Sequence, residues 1–336
     1  MRMNRSTAHL RAALNSSMRQ FFEQREYLEV EVPVASRFVI PEANIPVMTT
    51  SYRNPWKAPV TLTLLPSPEY FIKQLLADGL GNMYSLGKAF RDAENLGSIH
   101  NPEFTMLEYY SVGKNYMDTL SLTDELLSAL RATLESRNQQ IPRYAQGTIL
   151  QMTMAEAFWE SSKSDLSSWA HIALSEEDAL FAAQTEARRL SVNFDPKDSW
   201  DTIFNRIFLN KVENNLPQDR PLALCDYPAR IACLGRHTPG SNWIERWELY
   251  IRGIEIANTF TEERDPGRIR AFFSQEKEAI EKSGRQVDGD PNFAEVCARM
   301  PEVSGAAIGW DRLIMVLLGL GHIKEAMLFS LHDILA

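Results

Sequence analysis

The chain has 336 residues, 44% hydrophobic and 24% charged, a globular composition rather than a disordered or fibrous one. Its 35 lysines and arginines against 44 aspartates and glutamates give a formal net charge of −9, which argues against broad nucleic-acid binding. The apolar run from Leu313 to Ile323 is too short for a bilayer, the N-terminus has no signal-like apolar core, and Cys225, Cys233 and Cys297 form no CxxC, so the expectation is a reduced, cytoplasmic chain with no membrane span.

Residues 8–28 predict an amphipathic helix, with Leu10, Leu14, Met18, Phe21 and Phe22 near helical spacing. YLEVEVPVAS (27–36) alternates, which predicts a half-buried strand with Leu28, Val30, Val32 and Val34 on one face. Pro33 within it suggests an edge or an interface. Ser67-Pro68-Glu69 opens a helix, with Ser as N-cap, Pro at N1 and Glu in the first turn. That helix runs to about Ala77, where Gly79 and Gly81 end it. Met83–Arg91 and Glu103–Tyr110 predict two strands joined by the polar loop DAENLGSIHNP. Residues 118–220 read as a helical insertion in a single domain, and strand character returns over 221–262. Small apolar residues at 303–310 lead into a helix from Asp311 to about 319. Strands, a helical interruption, then strands again predict an α+β fold, a mainly antiparallel sheet flanked by helices. GxGxxG and GxxxxGK[ST] are both missing, which disfavours a Rossmann or P-loop site.

Three groups of residues carry chemistry. In RWELYIRGIEIANTF (246–260), a hairpin centred between Ile251 and Arg252 sets Glu248 opposite Glu255. Opposed like charges destabilise a sheet unless something compensates, and magnesium takes such carboxylates together with phosphate. Two solvent-facing glutamates would give the same spacing. Glu262 lies seven residues further on, on the other face of an ideal strand. In EFTMLEYY, Phe104, Met106, Glu108 and Tyr110 share one face by period two. One end of that face suits a purine and the other a cationic amine, though a core stripe with a polar rim fits as well. Arg91 and His100 flank the loop and can meet phosphates; ordinary surface positions would look alike. Gly305, Ala306, Ala307 and Gly309 allow close approach of a ligand or of a packed helix, and Arg312 in a first helical turn suits a local anion.

Together these segments resemble the three motifs of the class II aminoacyl-tRNA synthetase catalytic domain. YLEVEVPVAS is similar to motif 1, FRDAENLGSIHNPEFTMLEYY to motif 2 and GAAIGWDRLIM to motif 3. HNPEFTMLE and ERWELYIRGIEIANTFTEE are specific to the lysyl branch. Motif 1 begins within about thirty residues of Met1, too early for the OB-fold anticodon-binding domain that lysyl-tRNA synthetases carry. The chain therefore resembles the stand-alone paralogues, the elongation factor P–(R)-β-lysine ligases. Ser67 and Ala307 match that pattern where the synthetases have Ala and Gly.

The resemblance implies ATP and Mg2+ as substrate and cofactor. It implies lysine or β-lysine as amino acid, elongation factor P as acceptor, a homodimer through motif 1, and no use of tRNA. By the same resemblance Arg91, His100, Asn101 and Gly309 bind ATP, Phe104 stacks on adenine, and Arg312 takes the opposite ring face or the γ-phosphate. Glu248 and Glu255 hold magnesium. Ser67, Glu69 and Ala307 line the substrate backbone, with Glu69 on its amine; Glu108, Tyr110 and Glu262 hold the distal ammonium, and Asn258 lies near the carboxylate. Arg91, Glu255 and Arg312 are the catalytic set. The chain departs from the family at FRDAE, which makes Glu94 the adenine-reading glutamate, and at Ile99, Thr259 and Glu263-Arg264. Rivals are an asparagine synthetase-like ligase, a minimal tRNA charger and a non-catalytic regulatory paralogue.

Overall fold

The computed structural model describes residues 3–93 and 96–335. They form two compact units, Met1–Pro142 with Glu262–Ala336, and Arg143–Thr261.

The first unit opens with α1 (Arg5–Glu23), started by Asn4, whose side chain accepts from the Thr7 amide at 2.8 Å. Leu14, Met18, Phe21 and Phe22 are its buried stripe, as their spacing predicts. The strand expected over 27–36 is two short pieces, β1 (Leu28–Glu29) and β2 (Ala35–Ser36). Of its four alternating apolar residues only Val30 is fully buried; Leu28 and Val34 are about half exposed. Pro33 lies in the gap, where it has no N–H to give a ladder. β3 (Thr49–Tyr52) and β4 (Val60–Leu64) form a hairpin, and β2 pairs with β4. α2 (Glu69–Ala77) begins one residue later than the Pro at N1 would have it; the Ser67 hydroxyl accepts from the Glu69 amide at 3.0 Å. β5 (Met83–Phe90) and β6 (Glu103–Val112) pair antiparallel, and α3 (Tyr116–Glu135) follows on an Asn115/Asp118 capping box.

The second unit holds β7 (Leu150–Thr153), α4 (Met154–Ser162), α5 (Leu166–Trp169), α6 (Glu176–Arg189) and α7 (Trp200–Ile207), then β8 (Leu222–Pro228), β9 (Trp243–Ile251) and β10 (Ile254–Thr261). Its strands run in the order β10-β9-β8-β7, antiparallel except for β7 with β8. The helices close over a ring cluster of Phe158, Trp169, Trp200 and Phe204. β7 was not legible as a strand: four residues give too little alternation to register.

The β9–β10 turn corrects one expectation. Arg252 and Gly253 have φ of 55° and 69°, so they are the two loop residues and Ile251 pairs with Ile254. A bulge between Glu255 and Ala257 then shifts the register again, and Glu248 faces Asn258, not Glu255. Thr259, opposite Trp247, is fully buried and its hydroxyl has no hydrogen-bond partner. Thr259→Val, which removes that unpaired group at nearly constant shape, is expected to stabilise the protein by about 1 kcal/mol in chemical denaturation.

The chain returns to the first unit with α8 (Pro266–Lys282), α9 (Phe293–Arg299), β11 (Val303–Gly309), α10 (Trp310–Leu317) and α11 (Leu331–Leu335). β11 pairs antiparallel with β6, giving this unit the strand order β1-β5-β6-β11. The fold is thus α+β, with mostly antiparallel strands flanked by helices. Among the described residues no helix is long and apolar enough to cross a membrane.

Candidate active site

In the first unit the site is built on β6. Period two puts Met106, Glu108 and Tyr110 on one face, and their partners on β11 are Gly309, Ala307 and Gly305. Across β5 the partners of Met106 and Glu108 are Gly87 and Ser85. The run of small residues in motif 3 therefore clears space directly beside the polar side chains of motif 2. A Cβ on Gly305 would lie 2.4 Å from the Tyr110 ring, so this position takes only glycine while the ring stays in place.

Glu108 is buried, and each of its oxygens accepts one hydrogen bond at 2.7 Å, from the Tyr110 hydroxyl and from the Ser67 hydroxyl. Burial and the neighbouring Glu69 carboxylate push its pKa up to about 8. Glu262 is equally buried and is also raised to about 8, chiefly by desolvation, with Lys73 pulling the other way. Lys73, one helical turn after Glu69 on α2, has no exposed surface. Its Nζ sits 2.5 Å from a Glu69 oxygen and 2.7 Å from a Glu262 oxygen. Three carboxylates thus lie near a single buried ammonium. Glu42 adds a fourth acid nearby, its pKa raised to about 7 by burial and by Glu69, and lowered in part by Arg91 and Lys73.

The residues expected to meet phosphates lie on the same unit. Arg91 follows β5; its guanidinium rests over the Phe104 ring, 5.2 Å from the centroid, and its buried Nε has no hydrogen-bond partner. Arg312, in the first turn of α10, donates from Nε to the Ile99 carbonyl at 3.0 Å and so steadies the loop that carries His100. The same loop is held by Ile323 N to Ser98 O at 2.7 Å. Asn101 is a buried tie: its amide accepts from Leu331 N at 3.0 Å and donates to Glu103 O at 2.5 Å. Its polar groups are thus engaged within the protein. Glu94 lies outside the described residues.

In the second unit the bulge in β10 changes the parity that had separated odd-spaced residues. Glu255 stands opposite Tyr250 and Asn258 opposite Glu248, all on one face of the ladder. The parity count that set Glu262 apart from Glu255 does not survive the bulge. Glu248 is buried; one oxygen accepts from Arg246 Nη2 at 2.5 Å and the other from the Tyr250 hydroxyl at 2.8 Å. Arg246 Nε also donates to Asn258 Oδ1 at 3.0 Å. Glu255 is exposed. Glu248 and Glu255 are hard oxygen donors of the type magnesium takes, but they are not cross-strand partners and both Glu248 oxygens already accept hydrogen bonds. Among the described residues no three His, Cys, Asp or Glu side chains gather to hold a metal. Magnesium here would rest on two carboxylates plus oxygens supplied by its ligand.

Lys73 and Arg246 escaped the sequence reading. Lys73 had one visible signal, its i,i+4 spacing from Glu69 on the same helix. Arg246 had period-two spacing from Glu248, which only becomes informative once Glu248 is known to be buried and Arg246 partly so.

Comparison with known proteins agrees with this architecture. The family model for tRNA synthetases class II (D, K and N) matches residues 2–333. A Vibrio parahaemolyticus protein named elongation factor P–(R)-β-lysine ligase is 34% identical over 330 residues, covering 95% of this chain and 94% of its own. Its namesake from Avibacterium paragallinarum is 33% identical over 328 residues, covering 96% and 94%. That from Vibrio cholerae is 34% identical over 323 residues, covering 95% and 93%. The chain belongs to the class II tRNA synthetase family (D, K and N), in the group it shares with these ligases.

Proposed function

We propose that this protein is an AMP-forming ligase that activates (R)-β-lysine, or lysine, with ATP and transfers it to a lysine side chain of elongation factor P. The observation that carries the reading is the buried acidic cluster Glu69, Glu108 and Glu262 beside Tyr110, a receptor for a diamino acid in a family that works on amino acids and ATP. The names of the relatives supply the acceptor.

The amino acid carboxylate attacks the α-phosphate of ATP in line, the bond to the β-phosphate breaks, and pyrophosphate leaves. The acceptor ε-amine then attacks the carbonyl of the mixed anhydride, an amide forms, and AMP leaves with loss of the amine proton. Arg91 stabilises charge on the phosphoryl oxygens, and positioning supplies most of the remaining acceleration. Phe104 offers a face for adenine, while His100 and Arg312 meet the triphosphate, with Gly309 at close approach. Glu248 and Glu255 would hold magnesium, which would supply neutralisation of phosphate charge. Glu69 receives the amine near the carboxylate, Ser67 and Ala307 shape the backbone of the substrate, Asn258 serves the carboxylate end, and Glu108, Tyr110 and Glu262 receive the distal ammonium. Asn101 acts by tying the motif 2 loop.

We assign the whole chain to one catalytic body with a helical insertion. The half-exposed Leu28 and Val34 of motif 1 support burial against a second copy. Three free cysteines support a reducing, cytoplasmic setting. The formal charge of −9 counts against tRNA as acceptor. The test is mass spectrometry of elongation factor P after incubation with the protein, ATP and each lysine isomer. One aminoacyl addition to a single lysine is expected, and an unmodified acceptor with charged tRNA instead would overturn the reading.

A further inference from the structure

Lys73 poses a question that the proposed reaction leaves open. A lysine with no exposed surface, in contact with two carboxylates, normally serves as half of a structural ion pair. Here the count of charges is uneven. Glu69, Glu108 and Glu262 crowd around one ammonium, and the cluster carries a net charge of −2 when all four groups are ionised. The other groups facing it do not close the balance. Tyr110 is held neutral by burial and by Glu108, and Cys297 is pushed up to about 12 by burial. Glu42 adds negative charge rather than removing it, with Arg91 beside it as partial compensation. Burial already holds Glu108 and Glu262 back from ionising below about pH 8, so their full negative charge develops only when a ligand brings positive charge.

We infer that Lys73 is the fixed counter-cation of this pocket, a positioning residue that holds the Glu69 and Glu262 carboxylates aimed to receive a substrate with two ammonium groups. The inference rests on the proposed diamino acid substrate and adds the device that selects it. An amino acid with one ammonium leaves an uncompensated carboxylate in the pocket. Without Lys73 the three acids would face one another unaided, and the elevated pKa values of Glu108 and Glu262 would rise further. The sign follows: a carboxylate must be ionised to hold an ammonium, so affinity is lost as pH falls through its pKa, and a further rise from about 8 moves that loss to still higher pH.

The test is calorimetric binding of lysine and β-lysine to the full chain and to Lys73→Met, Lys73→Gln and Lys73→Arg, at about pH 7 and about pH 9. At the lower pH the Met and Gln variants are expected to bind about tenfold or more weakly, one unit of pKa being a factor of ten. The deficit narrows at the higher pH, Lys73→Arg recovers most of it, and in turnover KM moves more than kcat. A loss that is equal at both pH values, or an arginine variant that follows methionine, overturns the inference. Glutamine, polar and of similar length, carries the test if the methionine protein does not fold. Unsubstituted protein that binds neither isomer refutes the proposed substrate itself, a result distinct from a pH-independent loss in the variants.

Discussion

Replacing Arg91 by alanine is expected to abolish amino-acid-dependent ATP–pyrophosphate exchange, a loss on the order of 100- to 1000-fold, the scale for removing one preorganised donor from a developing oxyanion. The structural ground is the state of the side chain. Its Nε is buried without a hydrogen-bond partner, and the Phe104 ring holds the guanidinium plane from one side. A buried donor left unpaired costs free energy in the resting protein, and an arriving phosphate oxygen recovers it. The fold should survive the change, because the strand there is tied through main-chain atoms, Arg91 N to Pro102 O at 2.9 Å and Phe90 N to Leu65 O at 2.9 Å. Exchange at the unsubstituted rate, with an unchanged thermal midpoint, would remove Arg91 from the chemistry.

Gly305→Ala is the second large effect, and it acts without touching a charged group. The added methyl would meet the Tyr110 ring at 2.4 Å, and the ring has nowhere cheap to go, being buried and hydrogen-bonded to Glu108 at 2.7 Å. Overpacking of this kind costs about 1–3 kcal/mol in stability. The displaced hydroxyl would also leave one Glu108 oxygen unpaired, so the Michaelis constant for the amino acid should rise while that for ATP stays near its original value. Denaturant unfolding and steady-state exchange measure the two halves separately. An alanine variant with unaltered stability would mean that Tyr110 has room to retreat.

How much of this was readable in advance differs by element. The β5–β6 pair, β11 and the start of α10 follow from periodicity and from turn residues and emerged close to their expected limits, whereas α1 kept its buried stripe but runs Arg5–Glu23 instead of 8–28. Motif 1 did not: its alternation promised a strand, but Pro33 divides it and leaves apolar side chains outward. The β9–β10 hairpin was found but misaligned. Its turn was placed one residue early, and a bulge, which leaves no sequence signature at Ile256, changed every cross-strand partner beyond it.

Residue identities determined by themselves that this is an α+β scaffold with the motif 2 side chains Phe104, Met106, Glu108 and Tyr110 on one face, because alternation along a strand is local geometry. That Gly305 and Ala307 lie opposite Tyr110 and Glu108 came only from the antiparallel pairing of β11 with β6. Tertiary structure alone decided the charge state of the pocket. Burial depth, and the meeting of Lys73 with Glu262, 189 positions further along the chain, depend on long-range packing, and desolvation is a property of the folded surroundings that no local pattern encodes.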